Sequence, residues 1–482
     1  MKIMKTFIHI ITHHWKILAF AFLAIGCSDY LGESPDNRIQ LTEIEDYKAL
    51  VTNAYPGAYH LFTEIMTDNY KYYDYPGTNN ITIVEWFKPM YIWSDKYMQI
   101  LAVGPARAWE YYYGEIYKTN EVLKGIDNAE GKDEELRNQV KGEALLLRAY
   151  CHFMLVNLFG KQYNASTAAT DLGVPYTTKP QEDNVAEYPR DNIKDVYDWI
   201  ERDALEGVAL LVDKKVNVPK YHFTKASAYA FLCRFYQFKE DWDNSIKYGE
   251  MSQTLNSTVR EFVNDYNATF AKGDYDEFAN SYCSINKPNI LLMNKVLEFN
   301  SYTTNGYYSN EFWATAYETN DYRNKIHNRY YPTTPIYKCR KFRNVSNGGY
   351  RYSDVALFTT EEVMLNLAEA YTRKTEPDHE KAISLLNKIR EKRFVPYTPL
   401  TSAALSLEGE LGKVLLAKVL HERRVELCYE GYRWFDCKRF QIEIKHTTET
   451  GTYVLKGNDL RYVLQIPDAE LSANPAMVPN PR

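Results

Sequence analysis

Residues 415–440 read LLAKVLHERRVELCYEGYRWFDCKRF, and this stretch decides how the rest of the chain is interpreted. Leu416, Leu420 and Leu427 recur at helical spacing, which predicts a helix with one side facing the core. Gly431 offers that helix a stop, and the aromatic residues after it return the chain to the core.

Two arginines lie on or beside the apolar side of this helix. Arg424 projects close to it, and Arg423 lies next to it. A guanidinium group keeps its proton in proteins, so partial burial requires a carboxylate, and Glu426 and Glu430 are within helical reach of Arg423. We interpret these four residues as structural ion pairs without a catalytic role.

The same stretch resembles the C-terminal signature of the SusD/RagB family, in the pattern ERR-x-EL-x-x-EG-x-RW-x-D-x-x-R. Members of that family are surface glycan-binding lipoproteins of Bacteroidetes outer membranes. Further segments resemble the family's motifs in the family's order, namely GEALLLRAYCHFMLVNLFG at 142–160, LGVP at 172–175, Asp-Tyr-Arg at 321–323 and IP-x-x-EL-x-x-NP-x-x-x-x-NP at 466–481. The resemblance covers nearly all of residues 27–482.

The resemblance implies a mostly α fold in which tetratricopeptide-like helical pairs lie beneath irregular ligand-binding loops. It also implies a partner, a SusC-like TonB-dependent transporter that the protein covers like a lid. The residues themselves favour helical pairs, because 232–250 and 367–390 share a helix, a polar turn and a second helix.

Chain organisation follows from these patterns. We expect one SusD-like unit at 41–482. It comprises a helical scaffold at about 41–255 and 355–440, a loop-rich lobe at about 256–354, and a Pro-rich tail at 441–482.

The N-terminus is typical of an exported lipoprotein. A basic start precedes the apolar run Ile17 to Gly26, which at ~1.5 Å per residue spans about half a bilayer and so fits a signal peptide at 1–26. Cys27 follows directly, where a lipobox places the lipidated cysteine. We therefore expect lipid attachment at Cys27, a tether at 27–40, and anchoring to the outer membrane at the cell surface.

Composition limits the function classes. The net charge of −6 gives no excess of positive charge that would favour binding to nucleic acid. No spacing of His, Cys or acidic residues indicates a metal site, a cofactor or catalytic machinery, so we predict neither an enzyme nor a cofactor or metal. The seven cysteines lack the dense spacing of a disulfide scaffold, and several are expected to be buried.

Tyrosine is abundant, at 42 residues with 8 tryptophans, and aromatic residues crowd two irregular segments, 69–93 and 256–353. Aromatic rings cover the apolar face of a sugar while neighbouring polar groups bond its hydroxyls. The glycan-binding candidates are Trp86, Tyr91, Trp93, Tyr307, Tyr308 and Trp313. Trp109 and Trp199 lie on helical faces and are expected in the core.

The predicted function is capture of oligosaccharides or polysaccharides and their transfer to the transporter. Two alternatives stay open. One is a helical-repeat adaptor whose partner is protein alone, and the other is a receptor for a peptide or glycopeptide. Glycan titration separates them from the predicted function, and the sequence does not identify the glycan.

Overall fold

The fold was determined as a computed structural model. It describes residues 41–71, 87–96, 104–180, 187–297, 307–331, 334–339, 341–342, 345–347 and 350–482.

Helices make up most of the described chain. In chain order they are α1 (Ile44–Thr52), α2 (Lys88–Tyr91), α3 (Pro105–Gly125), α4 (Glu134–Phe159), α5 (Ile193–Leu210), α6 (Lys225–Lys239), α7 (Trp242–Leu255), α8 (Phe262–Ala268), α9 (Tyr275–Tyr282), α10 (Asn310–Ala316), α11 (Thr360–Arg373), α12 (His379–Glu391), α13 (Ser402–Ser406), α14 (Leu411–Glu426), α15 (Arg433–Arg439) and α16 (Asp468–Ala473).

Helix starts follow capping chemistry. Asp133 accepts the Leu136 N–H at the start of α4, and Asn192 accepts the Asp195 N–H at the start of α5, so each side chain satisfies a donor that the first turn leaves unpaired.

The helices pack in pairs that are consecutive along the chain. α3 packs on α4, α4 on α5, α6 on α7 and α11 on α12. Gly142 and Gly207 mark the closest approach of α4 and α5, because a Cβ at Gly142 would lie 2.8 Å from the Gly207 carbonyl oxygen. A side chain at either glycine would force the two helices apart.

The two sequence repeats form adjacent helical pairs. The first spans α6 and α7 and the second spans α11 and α12, and α11 packs against α6, α7 and α14. The mostly α, tetratricopeptide-like fold is therefore confirmed. On α4, Val140, Leu147 and Leu155 are all buried.

Strands concentrate in the predicted loop-rich lobe. They are β1 (Tyr70–Lys71), β2 (Ile290–Leu297), β3 (Tyr307–Tyr308), β4 (His327–Tyr331), β5 (Thr334–Cys339), β6 (Val345–Asn347), β7 (Tyr350–Thr359), β8 (Ile444–Thr448) and β9 (Gly451–Leu455). Three antiparallel sheets result, in the orders β1-β3-β5-β4, β2-β7-β6 and β8-β9.

The signature stretch differs from its predicted form in two ways. It contains two helices, α14 and α15, separated by a turn in which Tyr429 and Gly431 have positive φ. The buried side of α14 carries Leu415 and Val419, whereas Leu416 and Leu420 are only half-buried. The predicted apolar side was therefore displaced by one residue, because the buried side also carries charged residues that hydrophobic periodicity does not register.

No helix within the described ranges is both long and apolar enough to cross a bilayer. Across the same ranges no cluster of three or more His, Cys, Asp or Glu side chains could hold a metal ion. Cys151, Cys233, Cys283, Cys428 and Cys437 are buried free thiols, as predicted for the apolar helical positions.

Candidate ligand-binding site

A buried ion-pair network surrounds α14. Arg423 donates from Nε to Asp436 on α15 (2.9 Å) and from Nη1 to the Asn366 side chain on α11 (2.5 Å). The predicted partners Glu426 and Glu430 were therefore wrong for Arg423. The guanidinium points across the helix–helix contact, so its carboxylate comes from a neighbouring element and not from its own helix.

The ion-pair partners of Glu426 come from two other segments of the chain. Arg393 Nη2 lies 2.6 Å from it and Arg323 Nη1 lies 2.8 Å from it. Burial by itself raises the pKa of this carboxyl, but the two guanidinium groups outweigh burial and hold the pKa below its usual range. Glu430 pairs with the ammonium group of Lys341, and there burial prevails, so its pKa is raised.

The turn between α14 and α15 rests on a 3₁₀ segment, Leu61–Met66. Thr63 Oγ1 donates to the Gly431 carbonyl (2.8 Å). The buried Glu64 carboxyl accepts the N–H groups of Tyr429 and Gly431, both at 3.2 Å. Burial raises the pKa of Glu64 to about 7 even though these donors favour the ionised form.

Arg424 connects the turn to the loop-rich lobe. Its Nε donates to Asn69 Oδ1 (2.7 Å), its Nη2 lies 3.0 Å from Asp68 Oδ2, and its Cζ lies 4.9 Å from the Phe312 ring centroid. Asp68 also accepts two hydrogen bonds from Arg433 (both 2.9 Å). Burial opposes ionisation of Asp68, but the two arginines lower its pKa overall.

Directly after Asn69, the structure joins the two aromatic segments. β1 pairs with β3, Tyr70 opposite Tyr308 and Lys71 opposite Tyr307. The Ser309 N–H then donates to the Asn69 carbonyl (2.9 Å), and Ser309 Oγ caps α10 by accepting the Phe312 N–H. Segments more than two hundred residues apart in sequence therefore form one sheet edge, beneath which Arg424 lies.

Tyr91 and Trp93 do not lie at this surface, and their assignment as glycan-binding residues is corrected. Both are 3% exposed, and both rings stack on the His446 imidazole, with centroids 3.8 and 4.4 Å apart. Trp93 Nε1 donates to the Met66 carbonyl (2.9 Å). Each ring has its faces covered by protein and cannot cover a sugar, because β8 brings His446 against them.

The other candidates are placed as follows. Tyr307 and Tyr308 form β3, and Trp313 is half-buried on α10. Trp86 and Cys27 lie outside the described residues. Trp109 is buried, as expected, and Trp199 is half-buried, where the core was expected.

Sequence reasoning missed Asp68, Asn69 and His446. Each has a partner more than 350 residues away, Arg424 for Asp68 and Asn69 and Tyr91 for His446. A weak signal existed, since Asp68 directly precedes the first aromatic segment and Asn69 begins it.

Two protein-family models match this chain, and together they span the helical scaffold and the loop-rich lobe. A family model described as "Starch-binding associating with outer membrane" matches residues 29–237, and one described as "SusD family" matches residues 234–482. The chain belongs to the SusD family. The resemblance noted in the sequence is thereby confirmed.

Relatives and solved structures agree with this membership. Two SusD-like proteins of Formosa agariphila are 25% and 24% identical over 384 and 432 residues, covering 69% and 77% of this chain and 71% and 79% of the relatives. A SusD-like carbohydrate binding protein from Bacteroides vulgatus superposes with a TM-score of 0.69 at 18% identity, over 90% of this chain and 97% of that one. A SusD superfamily protein from Bacteroides fragilis gives 0.70 at 21% identity, over 90% and 99%.

Proposed function

We propose that this SusD family member captures oligosaccharides or polysaccharides at the cell surface and passes them to a SusC-like TonB-dependent outer-membrane transporter. The protein acts by binding and not by catalysis. The lipid on Cys27 anchors it to the outer membrane.

The pairing of β1 with β3 is the observation that carries the proposal. It brings Tyr307 and Tyr308 and the beginning of the first aromatic segment to one sheet edge, next to α10 with Trp313. Aromatic rings can cover the apolar faces of sugars, and asparagine, aspartate and arginine side chains can bond their hydroxyls. The description "Starch-binding associating with outer membrane" and the carbohydrate binding protein among the structural neighbours support the same ligand class.

Glycan titration of soluble protein beginning at Ser28 tests the proposal. Trp313→Ala and Trp86→Ala should each weaken the cognate polysaccharide roughly tenfold while leaving the melting temperature nearly unchanged, because each removes one ring platform. Trp199→Ala is the matched control, since Trp199 is also half-buried on a helix but lies on α5. Equal affinity in all four proteins would overturn the lobe as the glycan site.

Two further experiments test the cellular part of the proposal. Cys27→Ala should abolish labelling by a fatty-acid analogue and release the protein from the membrane, and persistent labelling would refute anchoring at Cys27. Parent protein that binds no glycan but associates tightly with a transporter would favour the adaptor function.

A further inference from the structure

A concave region lies between the helical scaffold and the C-terminal tail, and no residue of its lining belongs to the loop-rich lobe. It is a cavity of about 490 Å³ between α3, the segment after α4 that contains Pro175, and the tail around α16. Its volume falls within the ~300–1,000 Å³ typical of small-molecule sites. Its lining shares no residue with β1, β3 or α10.

One wall of the cavity is a row of aromatic rings on α3. Trp109, Tyr113 and Tyr117 recur every four residues and therefore lie on one side of the helix, about 6 Å apart along its axis. The Trp109 ring packs edge-on against Phe159 (4.9 Å between centroids), whereas Tyr117 is 40% exposed. Trp109 is 5% exposed and packed into the protein, so the rings that a ligand can reach are those of the half-buried Tyr113 and of Tyr117.

Polar groups at the cavity have an uneven balance of donors and acceptors. Trp109 Nε1 donates to Glu470 (3.2 Å), Tyr113 Oη donates to the Pro175 carbonyl (2.9 Å), and the Asn120 amide donates to the carbonyls of Thr177 and Lys179. These donors already bond oxygen atoms of the protein. Carboxylate and carbonyl oxygens each accept more than one hydrogen bond, so the lining retains acceptor capacity.

The preferred ligand follows from this balance. It has a flat apolar face for the rings of Tyr113 and Tyr117, several hydroxyl donors for the oxygens, and no negative charge, because the half-buried Glu470 lines the cavity. Lys179 and Glu110 also line it, but both are exposed, and Glu110 pairs with Arg107 (2.6 Å). Neutral sugars combine these properties.

We propose that this cavity is a second binding site, for a short neutral saccharide, separate from the site in the loop-rich lobe. The inference rests on the proposed glycan-binding function and extends it to two sites in one chain. A chain with two such sites holds a polysaccharide more tightly than either site does alone.

Calorimetric titration of soluble protein with short neutral gluco-, xylo-, manno- and galacto-oligosaccharides tests the inference. Ala473→Trp fills the cavity from an exposed position on α16, and Tyr117→Ala removes the open ring. Tyr111→Ala is the matched control, because Tyr111 lies on the same helix, is 37% exposed and does not line the cavity. Thermal melts confirm that each variant is folded.

The expected result is two binding sites per parent chain. Ala473→Trp should remove one of them, Tyr117→Ala should weaken the same one roughly tenfold, and Tyr111→Ala should change neither. Trp313→Ala should weaken the other site only.

Contrary results separate the two proposals. If Trp313→Ala removes all binding and the cavity variants remove none, the second site is overturned and the proposed function stands. If the cavity variants remove all binding and the lobe variants none, the lobe site is overturned and the cavity stands. If Ala473→Trp leaves saccharide binding intact but prevents co-purification of an outer-membrane protein, the cavity is a protein contact and the inference fails.

Discussion

Arg423 and Arg424 are neighbours on α14, yet they serve two regions of the molecule. Arg423 is fully buried and bonds Asp436 and Asn366 inside the helical scaffold. The Arg424 side chain is 21% exposed and bonds Asp68 and Asn69 at the base of the loop-rich lobe. One helix therefore fixes the scaffold with one side and the lobe with the other.

The two regions should differ in how much stability is lost when a charged side chain is replaced. In the interior, Glu426 of α14 is shared between Arg393 of the scaffold and Arg323 of the loop-rich lobe, so removing Glu426 leaves two buried cations without this partner. At the lobe, Asp68 keeps Arg433 when Arg424 is removed. We therefore expect scaffold substitutions to lower stability and lobe substitutions to lower binding.

The largest effect is expected for Glu426→Gln. It keeps the shape of the side chain but leaves Arg393 and Arg323 underpaired in the interior, which should lower the free energy of unfolding by ~3–5 kcal/mol in urea titrations. Glu410→Gln on the same chain segment is the control, since its pair with Lys413 is exposed and should leave the unfolding midpoint unchanged. A loss below about 1 kcal/mol for Glu426→Gln would contradict a tightly coupled network.

Trp93→Ala should be nearly as destabilising, by ~3–5 kcal/mol, because it removes a buried ring from the His446 stack. Trp313→Ala provides the comparison in the lobe, with a small stability loss and weaker glycan binding. Thermal melts and titrations of both variants measure the contrast. If the Trp93→Ala protein melts like the parent but binds glycan weakly, Trp93 is a glycan-binding residue after all.

Glu64 should make stability depend on pH at the junction of the two regions. Its folded pKa of about 7 lies above the ordinary glutamate value near ~4.5, so the folded state holds the proton more tightly. The stabilisation is complete below pH ~4.5 and is lost as pH rises through 7, with a total on the order of 3 kcal/mol.

The measurement is the difference in unfolding free energy between parent and Glu64→Gln protein across that pH range. The parent should lose stability relative to the variant as pH rises. A constant difference would mean that the N–H groups of Tyr429 and Gly431 keep Glu64 ionised throughout.

The smallest stability effect, with a clear effect on binding, is expected for Arg424→Leu. Because Asp68 retains Arg433, the loss should be about 1–2 kcal/mol, between the values for exposed and buried pairs. Glycan affinity should fall several-fold, since Asn69 and Phe312 lose the group that orients β1 and α10. Arg461→Leu, which removes a partly exposed pair with Asp459, should cost similar stability without changing affinity.

Unchanged affinity in Arg424→Leu protein would show that the lobe is positioned without Arg424. Arg424→Lys should restore part of the affinity, because the ammonium group can still pair with Asp68 but lacks the second nitrogen that bonds Asn69.

The scaffold could be predicted from sequence to a large extent. The buried face of α4 and the two helical pairs follow from apolar spacing and capping residues close together in the chain. The candidate site could be predicted only in part, because aromatic enrichment indicated both segments but did not distinguish a packed ring from an open one. Tyr91 and Trp93 show this limit, since β8 covers them from more than 350 residues away.

What the sequence by itself determined is the family, the helical pairs and the need for buried arginines to find carboxylates. Helix formation, capping and motif spacing depend on residues close together in the chain, so they can be predicted from the sequence. Only the tertiary structure decided which carboxylate each arginine meets, which aromatic rings stay open, and that β1 joins β3 above Arg424. Those outcomes depend on contacts between distant segments, whose geometry is set when the helices pack and not by any stretch of sequence alone.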